Sequence, residues 1–232
     1  MNFIDDAKKL ISNKEVKGKS KNLIEDLLNA ILGNPISAAK VLLTVIESPY
    51  FIREKLFLVK LERFLNGIYQ QESDIEKLKY QLALKEDKQE NAKRILYCID
   101  KVETDKKVDY LINVTRTLIN DIIDLSTYFR ICNVVVNTLD EDLKFLAEHI
   151  KETDINYSLE VNGLLRSGLI NPNLANEGYS FNSLAKFVDK YAINFENRTR
   201  YPNLEEKPEI KEPARMFIAS DKESNEILGN YF

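Results

Sequence analysis

The chain has 232 residues, 44% of them hydrophobic and 30% charged, enough to bury one large core or two modest ones. Its 7 glycines and 6 prolines leave the 95 residues between Gly67 and Gly163 without either, which argues against sandwiches, barrels and doubly wound sheets there. The net charge of -4 divides into +3 over residues 1–120, -5 over 121–195 and -2 over 196–232, so no part carries the basic excess that contacts to a phosphate backbone demand.

The acidic opening Met-Asn-Phe-Ile-Asp-Asp has no lysines before an apolar run, and predicts a cytoplasmic protein rather than a secreted one. A short helix is expected over Phe3 to Ile11. Lys14, Lys17, Lys19 and Lys21 then form a solvated basic connector, with contact to lipid headgroups or RNA as the functional alternative. Ser20 is the expected cap of a helix through Leu23, Ile24, Leu27, Leu28, Ile31 and Leu32, stopped by Gly33-Asn34-Pro35. A second helix starts near Ile36 with Ser37 and runs through Val41, Leu42, Val45 and Ile46 to Ser48-Pro49. Leu27 to Ile46 is apolar, but Lys40 and the turn interrupt it, and neither half reaches the ~20 residues of a membrane span. An amphipathic hairpin packed on a bundle is expected; association with a membrane surface is the alternative.

Beyond Tyr50 the periodicity is long-helical, with Phe57, Leu61, Phe64, Leu65 and Ile68 on one stripe. A break at Gln70 to Ser73 comes next, with Ser73 as the expected cap ahead of Asp74 and Glu76. Ile75, Leu78 and Leu82 form the next stripe, and Ile95, Leu96, Ile99 and Val102 another after the polar run Lys85 to Asn91. Thr104-Asp105 opens a helix carrying Val108, Leu111, Ile112, Val114, Leu118 and Ile119. Residues 1–120 thus read as an all-α bundle.

From 121 to 195 the order of elements changes. Helices are expected over Asp121 to Val136 and Asp140 to Lys151, then a third capped by Ser158 with Leu159, Val161, Leu164 and Leu165 as its apolar stripe. Gly168-Leu169-Ile170, a loop from Asn171 to Gly178, the apolar Tyr179-Ser180-Phe181 and a closing helix from Asn182 through Leu184, Phe187, Val188 and Tyr191 complete the segment. This order resembles the winged helix-turn-helix superfamily over about residues 121–193. The resemblance implies a two-stranded wing, opened by Gly168-Leu169-Ile170 and returned by Tyr179 to Phe181. In DNA-binding members the third helix offers cations and amides to base edges. Here the expected outward residues are Asn156, Tyr157, Glu160, Asn162 and Arg166, one cation against one anion, and the loop holds no Lys or Arg. The protein-binding use of the family is therefore the expected one, with a DNA-binding regulator as the alternative.

No run fitting GxGxxG or GxxxxGKS provides a nucleotide-phosphate cradle. Every Ser-His or Cys-His mechanism must pass through His149, the single histidine, which reads as a structural side chain even though Cys132 could approach it from the preceding helix. Cys98 and Cys132 read as buried thiols. Asp140-Glu141-Asp142 suits a helix N-terminus, and the i, i+3 carboxylates Asp121 and Asp124 lack the Glu-x-x-His element of metal-binding bundles. No catalytic residue, metal or cofactor is expected.

Residues 196–232 place Pro202, Pro208 and Pro213 among glutamates and read as an extended acidic tail. Its apolar pieces, Met216-Phe217-Ile218 and Tyr231-Phe232, are candidates for docking on the chain itself or on a partner. The whole is expected to be mainly α: a helical bundle over 1–120 rigidly joined to a winged-helix-like module over 121–195, then the tail. A helical N-terminal part with an apolar hairpin followed by a small C-terminal module resembles helical proteins of the abortive-infection class. The expected function is non-enzymatic binding of a protein partner in bacterial or phage conflict, ahead of transcriptional regulation and of membrane action through 27–46.

Overall fold

A segment of 95 residues without glycine or proline must end its helices by other means, and it does so with side-chain caps. The computed structural model describes residues 3–12, 16, 20, 22–46, 52–84, 87–173 and 178–195. Among them are eleven α-helices, a π-helical turn and one two-stranded antiparallel sheet. The helices are α1 (Phe3–Ser12), α2 (Leu23–Ile31), α3 (Pro35–Ile46), α4 (Ile52–Ile68), α5 (Glu72–Ala83), α6 (Lys88–Lys101), α7 (Asp105–Ile119), α8 (Leu125–Asn137), α9 (Asp140–His149), α10 (Leu159–Arg166) and α11 (Ser183–Val188). Strands β1 (Ile170–Asn173) and β2 (Gly178–Phe181) lie between α10 and α11, and the π-turn Asp189–Ile193 comes after α11.

Each cap satisfies an amide that the first turn of a helix leaves without a partner. Asp87 accepts from the amide of Gln89 at 2.9 Å, Thr104 from Lys107 at 3.3 Å, Asp124 from Thr127 at 2.7 Å and Ser158 from Val161 at 3.2 Å. Three expected starts move. α2 is capped by Asn22, whose Oδ1 accepts from Glu25, while the Ser20 amide donates to Thr44 Oγ1 and ties the connector to α3. α5 begins ahead of Ser73 because the Asp74 carboxylate reaches back to the amides of Gln70 and Gln71, at 3.0 and 2.9 Å. α8 begins at Leu125 and not Asp121, because residues 120–123 form the turn that closes α7.

That turn is a Schellman closure. The Asp121 amide donates to the Leu118 carbonyl and the Ile122 amide to that of Thr117, and Asp121 sits in the left-handed region at φ 54°. The same pattern closes α2 at Gly33 and α10 at Gly168, whose φ values are 78° and 71°. In the stretch without glycine, an aspartate takes the place that glycine holds in the other two, at a steric cost.

α7 is the centre of the molecule and packs against α4, α5, α8 and the π-turn. Val108, Leu111, Val114, Thr115 and Leu118 line its most buried stripe, and Tyr110 and Thr117 are buried on another face. Its approach to α4 is so close that a Cβ on Gly67 would stand 2.6–2.9 Å from Ile112 side-chain atoms. On the far side of α4, α1 contributes Phe3, whose ring lies 5.2 Å from that of Tyr69. The Tyr69 hydroxyl donates to the Ile31 carbonyl at the end of α2, and burial raises this phenol far above its ordinary value. Buried apolar residues form a contiguous set from Phe3 to Ala192, crossing position 120.

Asp121→Gly relieves left-handed strain of about 1 kcal/mol but removes the Oδ1 that accepts from the buried Gln81 amide at 3.3 Å, so the two effects should nearly cancel, whereas Gly168→Ala, where a Cβ meets nothing within 4 Å, should lose about 1 kcal/mol from φ alone; chemical denaturation reads both. Gly67→Ala should cost about 1–3 kcal/mol through overpacking, and Ile112→Val in the same chain should recover part of it; an undiminished loss in the double variant would contradict the close α4–α7 approach.

Candidate functional site

The C-terminal face is organised by α10. Val161 and Leu164 of this helix are buried, together with Ile155 before it and Leu169 and Ile170 after it. β1 and β2 pair in the register Ile170↔Phe181 to Asn173↔Gly178, and Ile155 adds an antiparallel bridge to Tyr179 with backbone bonds of 2.9 and 3.0 Å. Asn182 caps α11 and also donates through Nδ2 to the Gly168 carbonyl at 2.8 Å, which locks the hairpin to the end of α10.

Asn156, Tyr157 and Arg166 are exposed on this face, and Glu160 and Asn162 are half-buried. Two residues expected in the core are on the surface instead: Leu159 is 81% exposed and Leu165 37%. With eight residues α10 buries only Val161 and Leu164; Leu159 (i-2 from Val161) points away from them, and Leu165 (i+4 from Val161) lies at the edge of their side and stays partly open. Tyr157, two residues before the helix, is 67% exposed. Arg166 is the one cation of the helix.

The polar side of α10 rests on α9. Glu160 accepts from the Ser158 hydroxyl at 2.7 Å, a bond that holds its carboxyl below the ordinary range. Asp142 of α9 is buried against Gly163, where any Cβ would overlap its carboxylate. Burial, and then the charges of Glu160 and Glu141, raise the Asp142 carboxyl above its usual value.

A second feature lies between α6 and α8. A cleft of about 410 Å³ is bordered by Lys93, Arg94, Tyr97, Cys98, Phe129 and Asn133, among others. The Arg94 guanidinium stands 3.5 Å from the centre of the Phe129 ring, a cation–π contact. Cys98 borders the cleft beside Phe129 and Asn133 of α8, which flank Cys132 in sequence. Cys132 is fully buried, one turn after Tyr128, whose hydroxyl lies 3.0 Å from Thr115 Oγ1. The Thr115 hydroxyl reaches the Leu111 carbonyl at 2.7 Å. A file of polar side chains thus runs from the cleft to the central helix. The neighbouring Cys132 thiol, and then the Arg94 charge, hold the Cys98 thiol below its ordinary value against the effect of burial. Burial raises that of Cys132.

Sequence reasoning missed this pairing. Cys98 lies near Ile95 and Ile99 on α6 and Cys132 near Phe129 and Val135 on α8, so periodicity marks each as inward-facing, but the register between two helices distant in sequence is not encoded in either.

His149 does not meet Cys132. Its ring stacks on Phe145 at 4.0 Å and its Nδ1 lies 2.9 Å from the Phe145 carbonyl. Asp140, at the start of α9, accepts from Thr104 Oγ1 at 2.8 Å and joins the first turns of α7 and α9. Asp121 and Asp124 occupy the turn and the cap before α8, so they share no helical face. Among the described residues no group of three His, Cys, Asp or Glu side chains could hold a metal ion, and no helix is long and apolar enough to cross a membrane. Lys14, Lys17, Lys19 and Lys21, the loop residues 174–177, and the tail with Met216, Phe217, Ile218, Tyr231 and Phe232 lie outside the described residues. A scan against protein-family models and searches of curated proteins and of solved structures return no match to this chain.

Because the fold raises the Asp142 carboxyl, protonation there favours the native state. That stabilisation is complete below the unfolded value of about 3.9 and is lost as pH rises through the higher folded value. Asp142→Asn should therefore be more stable than the wild type at pH 7, with the difference shrinking on acidification; unfolding curves at several pH values giving a constant difference would contradict this placement of the carboxylate.

Proposed function

We propose that the chain is a non-enzymatic protein-binding protein of bacterial or phage type, whose residues 121–195 form a winged-helix-like module that grips a protein partner through α10. The observation that carries this reading is the exposure of Leu159 and Leu165 on the helix that a DNA-binding member would fill with cations, and of Tyr157 just before it. Protein interfaces favour aromatic and apolar anchors at their centres and exclude isolated charges there. The charge of -5 over 121–195 would repel a phosphate backbone, and the single Arg166 offers little direct readout of bases. The Ile155 bridge and the Asn182 bond to Gly168 make α10 and the hairpin one unit, which supports a preformed docking surface. The likeness of the whole to abortive-infection-type helical proteins supports phage–host conflict as its setting.

Site-specific photo-crosslinking in a bacterial host tests the reading. A photoreactive residue at Leu159 should yield one discrete protein adduct, one at Lys77 of α5 should not, and Tyr157→Ala should abolish the adduct. Retention of a DNA duplex at about 50 mM salt, weakening steeply as salt rises, would replace the protein-binding reading with the regulator reading.

A further inference from the structure

The cleft between α6 and α8 holds chemistry that a docking surface on α10 does not use. Cys98 and Cys132 come from helices that pack together; Arg94, one turn before Cys98, lies over Phe129, and Cys98 lines the cleft with Phe129 and Asn133, the residues of α8 three before and one after Cys132, so the two cysteines stand at one level of that interface. Their environments differ. Cys98 borders an open cleft of about 410 Å³, with Arg94 one turn earlier on the same helix and its guanidinium held over Phe129. Cys132 is sealed in the core behind it. An accessible thiol beside a cation, backed by a second thiol that solvent does not reach, separates the tasks of meeting an oxidant and of resolving the product. Tyr128, one turn before Cys132, is hydrogen-bonded to Thr115, so polar side chains stand near the buried inner cysteine.

We propose that Cys98 and Cys132 are a peroxide-reactive pair, in which Cys98 reacts with a hydroperoxide entering the cleft and Cys132 resolves the product as an intramolecular disulfide. In the first step the Cys98 sulfur attacks the terminal oxygen of the hydroperoxide. The O–O bond breaks, the leaving alkoxide or hydroxide takes the proton released by the thiol, and Cys98 becomes a sulfenic acid. In the second step the Cys132 sulfur attacks Cys98 Sγ. The S–S bond forms, the S–O bond breaks, and the departing hydroxide leaves as water with the Cys132 proton. Two thiols are oxidised by two electrons in all, and one hydroperoxide is reduced to an alcohol and water, or to two waters if it is hydrogen peroxide. The deprotonated form of Cys98 favoured by its neighbours is the one that attacks, and the disulfide would fasten α6 to α8 across the floor of the cleft. The pair stands on its own geometry and is independent of what α10 binds.

The test treats the full-length reduced chain with hydrogen peroxide near equimolar amounts and reads it by intact mass and peptide mapping. The expected product is a monomer lighter by two hydrogen atoms, with the Cys98 and Cys132 peptides joined and the loss reversed by a phosphine reductant. Cys132→Ser should stop at the first step and take up dimedone at Cys98, and Cys98→Ser should remain unlabelled and unoxidised at the same dose. Arg94→Gln should slow the wild-type reaction several-fold. Two thiols that both remain free to alkylate, disulfide-linked dimers in place of the internal bond, or stable sulfinic acid on Cys98 while Cys132 is intact would each overturn the proposal. These three outcomes are read on the unmutated chain, so they do not depend on a variant folding.

Discussion

The burial of α7 on nearly all sides is the constraint on which the rest of the structure depends. A helix covered by α4, α5, α8 and the π-turn must satisfy every polar group within itself or in its surroundings. It does both. Thr115 and Thr117 return their hydroxyls to the carbonyls of Leu111 and Asn113, and Asn113 donates to the Ala192 carbonyl in the π-turn at 2.7 Å. The last bond joins the central helix to the final described element, and Gly67 against Ile112 brings α4 close on the other side. Each fully buried aliphatic side chain of α7 contributes roughly 1.5–3 kcal/mol, and those side chains face elements from both halves of the sequence.

Helix interiors were legible in the sequence because a period of 3.6 in apolar residues is a direct image of one buried face. Leu78 with Leu82 and Leu111 with Val114 and Leu118 are buried as their spacing requires. Helix ends were less legible, because several capping side chains compete within a few residues and the winner depends on where the core fixes the helix axis. Ser20 lost to Asn22, and Ser73 to the reach of Asp74. Ile122 and Ile123 extend an apolar pattern that reads as helix, yet the backbone there turns, with Asp121 in the left-handed region and Asp124 capping α8. The hairpin was legible in outline from Gly168, Gly178 and the apolar residues beside them, and the observed strands pair where those residues place them.

The surface of α10 and the α6–α8 cleft were hidden for different reasons. A two-turn helix has too few residues for periodicity to separate its core side from its exposed side, so Leu159 and Leu165 read as interior although Leu159 faces outward and Leu165 stays partly open. The thiol pair depends on the register of two helices separated by about thirty residues of sequence, which local pattern does not carry. The two features also lie on different parts of the body. α10 and the residues just before it present leucine and tyrosine outward, whereas the cleft directs Cys98 toward the polar file that ends on α7. α8 of the cleft packs on α7 directly, whereas α10 packs on α9 and α9 on the π-turn that covers α7, so both surfaces share one frame centred on that helix.

Native-state hydrogen exchange over a series of denaturant concentrations addresses that common frame most directly. If α7 unites the two halves, the most protected amides of α4, α7 and α8 will merge into a single opening with one free energy and one denaturant dependence. An opening of α8 and the π-turn at distinctly lower free energy, leaving α4 and α7 protected, would contradict it.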